Sequence, residues 1–173
     1  MKDLTYLGNC SSVIDWNTVL IDIENTTPDR IGPPEADPSL QETIDYWNEV
    51  GYKSAKEGGT VEWNMYFPNQ SFDEKIIDSV LDYYKISEYS SCWISKIRPG
   101  YCAAPHVDRI ITDKEINRLH IHITDSSMGH VFYVGNEYII DYKQGDAYKW
   151  NNPYAWHAGM NCGKTPKYMF NMY

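Results

Sequence analysis

Two neighbouring residues and a third one far along the sequence are of the types that hold a divalent metal ion. His106 and Asp108 lie two positions apart, so on an extended chain their side chains point to the same side. His157 follows much later, in the strand-like segment AWHAGMN. Two imidazoles and one carboxylate leave three adjacent positions open on an octahedral ion, which suits iron(II). A hydrogen-bonded core or surface histidine is the competing interpretation of His157.

A zinc site is an alternative that uses two of the same residues. Cys102, His106, His157 and Cys162 are all of types that bind tetrahedral zinc. Strand parity disfavours this set, because residues 157 and 162 face opposite ways unless the chain turns between them.

Lys167 begins the final apolar segment, an unusual place for a charge. If residues 162–166 close a hairpin, Lys167 lies opposite about Asn161, roughly 13 Å along the strand from His157 at ~3.3 Å per residue. A lysine and a five-carbon diacid span that gap. We therefore expect 2-oxoglutarate to chelate the metal while Lys167 pairs with its far carboxylate. The alternative is a solvated lysine that protects a sheet edge.

Polar and apolar residues alternate strictly from residue 118 to residue 124. This pattern puts four polar side chains on one face of a strand: Arg118, His120, His122 and Thr124. A polar cleft that binds an anion would use a guanidinium and two imidazoles, whereas an ordinary surface strand is the competing interpretation. Three aromatic residues lie near His157 in the sequence: Trp150, Tyr154 and Trp156. We expect them to line the entrance of the substrate cavity, and packing in the core is the competing interpretation.

The first 89 residues contain two helix signals and one strand signal. Residues 25–38 are rich in Pro and polar residues and are typical of an irregular loop. Ser39 to Glu42 has the form of a capping box and predicts a helix to about Lys56. Residues 60–67 alternate like a strand. Ser71 to Glu74 is a second capping box, before a helix that is apolar at positions 76, 77, 80, 81 and 84.

From residue 90 onward the sequence breaks into short strand-like segments. There are seven of them: SCWISKI, NRLHIHIT, HVFYV, EYIIDY, DAYKW, AWHAGM and KYMFNMY. The pair HVFYV and EYIIDY is joined by Gly135-Asn136, a typical hairpin turn. The sequence therefore predicts a mainly β fold, a double-stranded β-helix of jelly-roll or cupin type, with N-terminal helices packed outside.

Composition limits the classes of protein that fit. The 173 residues suit a single domain, with residues 1–89 as helical support and 90–173 as the β-helix core. A net charge of −9 without a Lys/Arg cluster argues against nucleic-acid binding. No signal peptide or membrane-spanning segment is apparent, so we expect a cytoplasmic protein. The four scattered cysteines are expected to be free thiols.

Residues 90–173 resemble the iron(II)/2-oxoglutarate-dependent oxygenases, and their prolyl 4-hydroxylase branch in particular. The likeness is carried by three motifs: Gly100-Tyr-Cys-Ala-Ala-Pro105-His106-Val-Asp108, Gly145-Asp146-Ala147-Tyr-Lys-Trp150, and His157-Ala158-Gly159 with Lys167-Tyr168. Each motif is weak alone, but together they are specific.

The resemblance implies the roles of four residues and a reaction. His106, Asp108 and His157 would be the catalytic iron(II) ligands, and Lys167 would bind the distal carboxylate of 2-oxoglutarate. It also implies that O2 is consumed, that succinate and CO2 are released, and that an amino-acid side chain or small molecule is hydroxylated. Ascorbate is a candidate reductant. The implied partner is a small-molecule or peptide substrate.

Two departures leave the subfamily open. Prolyl hydroxylases usually have a co-substrate-binding tyrosine where this chain has Ala103, so Tyr101 or His120 is expected to fill that space. The pattern of Arg118 and His120 resembles instead the aspartyl/asparaginyl β-hydroxylases, in which both residues help bind the co-substrate. A cupin-like binding module without oxygenase activity is the alternative from outside the enzymes.

Overall fold

Eleven strands form two antiparallel sheets in the part of the chain that the structure, a computed structural model, describes: residues 2–33, 41–108 and 118–173. The strands are Leu4–Asn9 (β1), Arg30–Gly32 (β2), Trp63–Tyr66 (β3), Cys92–Ile97 (β4), Cys102–His106 (β5), Arg118–His122 (β6), His130–Val134 (β7), Glu137–Ile139 (β8), Asp146–Trp150 (β9), His157–Asn161 (β10) and Lys167–Met172 (β11). The major sheet has the order β1-β9-β6-β11-β4-β3-β2, and the minor sheet has the order β5-β10-β7-β8.

The chain alternates between the two sheets from β4 onward. Strands β4, β6, β9 and β11 lie in the major sheet, and β5, β7, β8 and β10 lie in the minor sheet. This interleaving is the topology of a double-stranded β-helix, so the predicted fold class is confirmed. It also corrects one expectation: residues 162–166 do not close a hairpin, because β10 and β11 lie in different sheets.

The described residues of the N-terminal half form three α-helices: Trp16–Glu24 (α1), Gln41–Val50 (α2) and Lys75–Tyr84 (α3). The carboxylate of Asp15 accepts hydrogen bonds from two backbone N–H groups in the first turn of α1, which satisfies donors that the helix itself leaves free. Buried residues of α1 and α3 join the outer face of the major sheet in one apolar cluster: Trp16, Val19, Ile23, Ile77 and Val80 with Ile94, Ile121 and Phe170. Helices α1 and α3 therefore pack outside the barrel, as predicted.

Several N-terminal details differ from the sequence-based expectation. Strands β1, β2 and β3 lie within residues 1–89, so this region is more than helical support, and β2 falls inside the predicted loop 25–38. Helix α2 ends at Val50, before a separate 3-10 turn over Ala55–Glu57. The Ser39 capping box lies outside the described residues.

The second predicted capping box is not formed. Helix α3 has Glu74 at its N-cap without a side-chain bond, because the hydroxyl of Ser71 donates to Asp29 instead, at 2.8 Å. The predicted apolar stripe of α3 is nevertheless present: Ile77 and Val80 are buried, while Ile76, Leu81 and Tyr84 pack beside them.

Two further predictions concern the hairpin and the cysteines. Strands β7 and β8 pair with Val134 opposite Glu137, and Gly135 in the turn has a positive φ of 57°. The predicted hairpin is therefore confirmed. All four cysteines are free thiols, as predicted.

One finding concerns membranes. Within the described ranges, no helix has both the length and the apolar character needed to cross a bilayer.

Candidate metal centre

The two-sheet topology brings His106, Asp108 and His157 together. His106 ends β5, His157 begins β10, and the register pairs these two residues directly. Asp108 Oδ1 lies 3.4 Å from His106 Nε2, and Asp108 Oδ2 lies 3.3 Å from His157 Nε2. One ligand atom from each residue lies within 4.8 Å of the other two. The predicted convergence of these three side chains is thus observed.

Backbone carbonyl groups fix the orientation of both imidazoles. His106 Nδ1 lies 2.7 Å from the oxygen of Ala104, and His157 Nδ1 lies 3.1 Å from the oxygen of Ala155. A carbonyl oxygen can only accept, so each Nδ1 carries a proton. The other ring nitrogen, Nε2, faces Asp108 in both residues. This donor set, held by its outer hydrogen bonds, fits a divalent metal ion.

Arg118 lies against the same three residues. Its guanidinium donates to Asp108 Oδ2, approaches His157 Nε2 at 3.3 Å, and lies over the ring of Trp150 at 3.6 Å. Burial raises the pKa of the Asp108 carboxyl, but the polar groups around it, the Arg118 guanidinium first among them, outweigh burial and hold that pKa well below its ordinary value. Asp108 is therefore ionised, as a metal ligand must be.

His157 is held neutral by its surroundings. Burial first, and then the nearby His106 and Arg118, lower the pKa of this imidazole to about 3, although the carboxylate of Asp108 acts to raise it. A neutral imidazole is the form that binds a metal.

A cavity of about 220 Å³ lies between the sheets next to the three ligands. Its walls are mainly apolar and aromatic, and include Trp63, Trp93, Ser95, Phe132, Gly159 and Met169. Trp63 stacks on the ring of His106, with centroids 5.6 Å apart. A space of this size suits a small acid and part of a substrate rather than a large cofactor.

The aromatic mouth differs from the predicted one. Trp150 lines the cavity, but Tyr154 is half-exposed and Trp156 packs its edge against Tyr46. Trp63 and the other tryptophans of the wall come from strands and helices whose position opposite His106 depends on the fold. Their place in the cavity wall could not be predicted from the sequence, because it depends on where β3 and β4 lie relative to the mouth of the barrel.

Lys167 is completely buried, with 0 % of its surface exposed. It begins β11 and pairs with Ile97 of β4, not with Asn161 as expected. Its ammonium donates to the oxygen of Val131 at 2.9 Å and lies 4.9 Å from the centre of the Phe132 ring. Burial lowers the pKa of Lys167 to about 7. The interpretation of a solvated edge lysine is therefore wrong.

The buried ammonium lies directly behind one end of the cavity. A Cβ placed on Gly159 would lie 3.6 Å from Lys167 Nζ, and Gly159 itself lines the cavity. Gly159 follows His157 by two residues on β10, a distance of about 7 Å at ~3.3 Å per residue. Among the described residues no carboxylate pairs with Lys167. The buried ammonium, which has no carboxylate partner, thus lies about the length of a small dicarboxylic acid from the metal ligands.

Strand β6 is buried on both faces. Leu119, Ile121 and Ile123 point into the outer apolar cluster, whereas Arg118 and His120 point between the sheets. The interpretation of an ordinary surface strand is therefore wrong.

The predicted co-substrate roles of Arg118 and His120 stay predictions. Arg118 is engaged with Asp108 and His157, as described above. His120 Nδ1 accepts the indole N–H of Trp150 at 2.8 Å, and its ring stacks on Tyr148. Tyr101, the other candidate, packs against Arg98, whose guanidinium lies 4.3 Å from its ring.

The alternative zinc set is not assembled. The thiol of Cys102 donates to the oxygen of Thr60 at 3.6 Å, and Cys162 is exposed. The three converging residues found in the described part of the chain are His106, Asp108 and His157, and they contain no thiolate.

Comparisons with known proteins find likeness in structure alone. No protein-family profile and no curated protein sequence matches the chain. Similar solved structures include a prolyl-4-hydroxylase from Pseudomonas putida, with 12% identity over 91% of this chain and 97% of that one and a TM-score of 0.48. A viral collagen prolyl hydroxylase from Paramecium bursaria Chlorella virus 1, in complex with 2OG, has 14% identity over 87% and 96% and a TM-score of 0.46. A Trichoplax adhaerens prolyl hydroxylase, in complex with a hypoxia inducible factor peptide, has 10% identity over 91% and 88% and the same TM-score.

Proposed function

We propose that this protein is an iron(II)- and 2-oxoglutarate-dependent oxygenase that hydroxylates an amino-acid side chain or a small molecule. One observation carries the proposal. Two imidazoles and an ionised carboxylate converge beside a cavity, and a buried lysine without a carboxylate partner lies behind Gly159 in the cavity wall. Such a site binds a metal and a dianionic chelator together.

The three ligands would hold iron(II) on one side and leave the cavity side free. Bound iron(II), together with 2-oxoglutarate and O2, supplies the oxidising power for hydroxylation, with succinate and CO2 as the other products. Arg118 positions Asp108 and keeps it ionised. The carbonyl groups of Ala104 and Ala155 hold the two imidazoles with Nε2 toward the ion.

Lys167 would bind the far carboxylate of 2-oxoglutarate. An ammonium without an anion is costly to bury, so the affinity of this position for a carboxylate is high. The aromatic walls around Trp63 and Phe132 would keep water away from the chelated acid, which strengthens that ion pair.

The test separates binding from turnover. Purified protein is titrated calorimetrically with Mn²⁺ and then with 2-oxoglutarate, and succinate is measured after addition of iron(II), ascorbate and O2. We expect both ligands to bind and succinate to form slowly without substrate, while His157→Ala abolishes succinate formation. Tight binding of both ligands without any O2-dependent succinate would contradict the oxygenase proposal and favour a cupin-like binding module.

A further inference from the structure

Three polar side chains line the cavity on the inner face of the major sheet. Trp93 and Ser95 lie on β4, and Asn171 lies on β11 directly opposite Trp93 in the register. None of them belongs to the metal ligands or to the surroundings of Lys167. Ser95 is 93% shielded from solvent, with 7% of its surface exposed.

The hydrogen bonds at Ser95 determine where its hydroxyl proton points. Ser95 Oγ accepts the indole N–H of Trp93 at 2.9 Å and the amide N–H of Asn171 at 3.0 Å. Both partners can only donate at these atoms, so the hydroxyl proton of Ser95 is directed elsewhere. No acceptor among the described residues receives it. Ser95 therefore offers a buried, unused donor on the cavity wall.

The orientation of Asn171 is fixed in the same way. Its Nδ2 also donates to the backbone oxygen of Met169 at 3.2 Å, and a carbonyl can only accept. Both N–H groups of the amide are thus used, and Oδ1 points away from them. Within the described part of the chain, Oδ1 accepts no hydrogen bond. Asn171 therefore offers an acceptor beside the donor of Ser95.

We propose that Ser95 and Asn171 bind a substrate group that carries an N–H beside a C=O on one edge, either a primary carboxamide or a lactam ring. The Ser95 hydroxyl donates to the carbonyl of this group, and Asn171 Oδ1 accepts its N–H. This proposal rests on the oxygenase function above and specifies the class of its substrate.

Other common groups match the pair less well. A carboxylate has acceptors only and is repelled by Asn171 Oδ1, whereas an ammonium has donors only and leaves the Ser95 donor unused. A trans peptide group points its N–H and C=O in opposite directions. A tertiary amide, such as that of a prolyl residue, has no N–H. Each of these ligands would leave Ser95 or Asn171 without a hydrogen-bond partner. Because both groups line a buried cavity, the site selects strongly against such ligands.

The position of the pair keeps the amide and the co-substrate apart. Lys167 begins β11, and Asn171 lies four residues further along it, roughly 13 Å at ~3.3 Å per residue. Tyr173 follows Asn171 by two residues, and its ring centre lies 5.4 Å from the Arg118 guanidinium carbon. The pair therefore lies at the metal end of the cavity, where a substrate must approach. Trp93, edge-on to Tyr173 at 5.1 Å, provides a flat wall for a planar group.

The experiment uses the unaltered protein loaded with Zn²⁺ and 2-oxoglutarate, which is diamagnetic and does not turn over. Four small probes are titrated and followed by ¹H–¹⁵N NMR of the side-chain amides. Isobutyramide represents the primary carboxamide and 2-pyrrolidinone represents the lactam. N-Methyl-2-pyrrolidinone and γ-butyrolactone are the matched controls, because they keep the ring and the carbonyl but have no N–H.

We expect at least one of the two N–H probes to bind about three- to tenfold more tightly than both controls, the range that one neutral hydrogen bond gives. The Asn171 side-chain resonances should shift on binding. Preference for isobutyramide indicates a side-chain carboxamide as substrate, and preference for 2-pyrrolidinone indicates a ring. Equal affinity for 2-pyrrolidinone, its N-methyl derivative and the lactone, with isobutyramide no tighter, would overturn the proposal.

A variant extends the test. Ser95→Ala should weaken the preferred probe by about three- to tenfold while the affinities for Zn²⁺ and 2-oxoglutarate stay unchanged. Ser79→Ala, at an exposed serine of α3, is the matched control and should change nothing. Unchanged probe affinity in Ser95→Ala would also overturn the proposal. Failure of the metal or 2-oxoglutarate to bind, with the probe preference intact, would instead contradict the oxygenase function and leave the amide site standing.

Discussion

Asp108 is the residue on which the candidate metal centre depends most. Its two oxygens face the Nε2 atoms of His106 and His157, and one oxygen also accepts from Arg118. Because this carboxylate is the negative ligand of the set, removing its charge removes both a metal ligand and the partner of a buried guanidinium.

We predict that Asp108→Asn lowers the affinity for Mn²⁺ by more than the about 10- to 100-fold that loss of an outer-shell partner costs. Calorimetric titration with Mn²⁺ measures this effect. Asp82→Asn, at an exposed acid that pairs with Lys85, is the control and should bind as the unaltered protein does. An Asp108→Asn variant that binds Mn²⁺ normally would show that the metal lies elsewhere.

Lys167 determines the affinity for the co-substrate and its dependence on pH. We predict that Lys167→Met weakens 2-oxoglutarate binding by about 10- to 100-fold, because a hydrogen bond to a charged group is lost.

In the unaltered protein, a bound carboxylate favours the charged ammonium, whose pKa in the free protein is about 7. Affinity should therefore fall as the pH rises above 7, by up to about tenfold per unit.

The measurement is a titration of 2-oxoglutarate at saturating Mn²⁺ between pH 6 and pH 9. The neighbouring imidazoles of His120 and His122 do not interfere, because burial lowers the pKa of each well below its ordinary value. Burial also lowers the pKa of His130. Lys167→Met should show no pH dependence. If the affinity for 2-oxoglutarate still depends on pH in Lys167→Met, the pH dependence belongs to another titratable group.

At the scale of elements, the crossing of β10 over β4 and β11 shapes the co-substrate end of the cavity. Gly159 of β10 faces Ile97 of β4, and a Cβ on Gly159 would lie 2.7 Å from Ile97 Cδ1. The same Cβ would lie 3.5 Å from Met169 Cε and 3.6 Å from Lys167 Nζ. The absence of a side chain at Gly159 is therefore what keeps this end open.

We predict that Gly159→Ala weakens 2-oxoglutarate binding more than tenfold while Mn²⁺ affinity stays within about twofold, since crowding costs of about 1–3 kcal/mol are typical. Calorimetric titration of both ligands tests this. Ile97→Val removes the clashing Cδ1, so the double variant should regain much of the lost affinity. Parallel loss of Mn²⁺ and 2-oxoglutarate affinity would show that the strand crossing, rather than the cavity end, had been disturbed.

The sequence predicted individual strands and helices better than it predicted which of them pair or pack together. The spacing of His106 and Asp108 places both on one side of an extended chain whatever the surrounding fold, and the alternation around His120 predicts two distinct faces. The partner of Lys167 could not be predicted, because strand order decides it, and β11 pairs with β4 and β6 rather than with β10. Arg118 was assigned to the co-substrate because nothing in the sequence shows that it reaches Asp108.

Strand β1 was missed because it has no strong local signal: it is mostly exposed, and its stability comes from pairing with β9, far along the chain. Helix α1 was also missed, although it has local signals, an Asp15 N-cap and buried apolar residues at helical spacing. The capping box at Ser71 was wrongly predicted because the hydroxyl of Ser71 donates to Asp29, which only the folded chain brings near. Local patterns therefore predicted the strands of the core, whereas long-range contacts decided the N-terminal elements.

At the scale of the whole molecule, a buried lysine without an anion makes stability depend on pH. Unfolding returns the pKa of Lys167 from about 7 to its ordinary value of about 10.4, so between these values the unfolded chain binds more protons than the folded one. The contribution of Lys167 to the free energy of unfolding therefore rises with pH above 7, by at most about 1.4 kcal/mol per unit.

We predict that Lys167→Met raises the free energy of unfolding of the metal-free protein at pH 6 and removes the part of the pH dependence due to this lysine. Urea unfolding at pH 6, 7, 8 and 9 measures both effects. The same substitution thus strengthens the fold while it weakens co-substrate binding. A Lys167→Met variant less stable than the unaltered protein at pH 6 would mean that the ammonium contributes more through Val131 than it costs by burial.

The most direct test of the central claim is a crystal structure of the protein with Mn²⁺ and 2-oxoglutarate. We predict that His106 Nε2, Asp108 and His157 Nε2 contact the ion, that 2-oxoglutarate chelates it from the cavity side, and that Lys167 Nζ contacts the far carboxylate. An ion bound away from these three side chains, or a Lys167 that stays on the oxygen of Val131 while 2-oxoglutarate binds elsewhere, would contradict it.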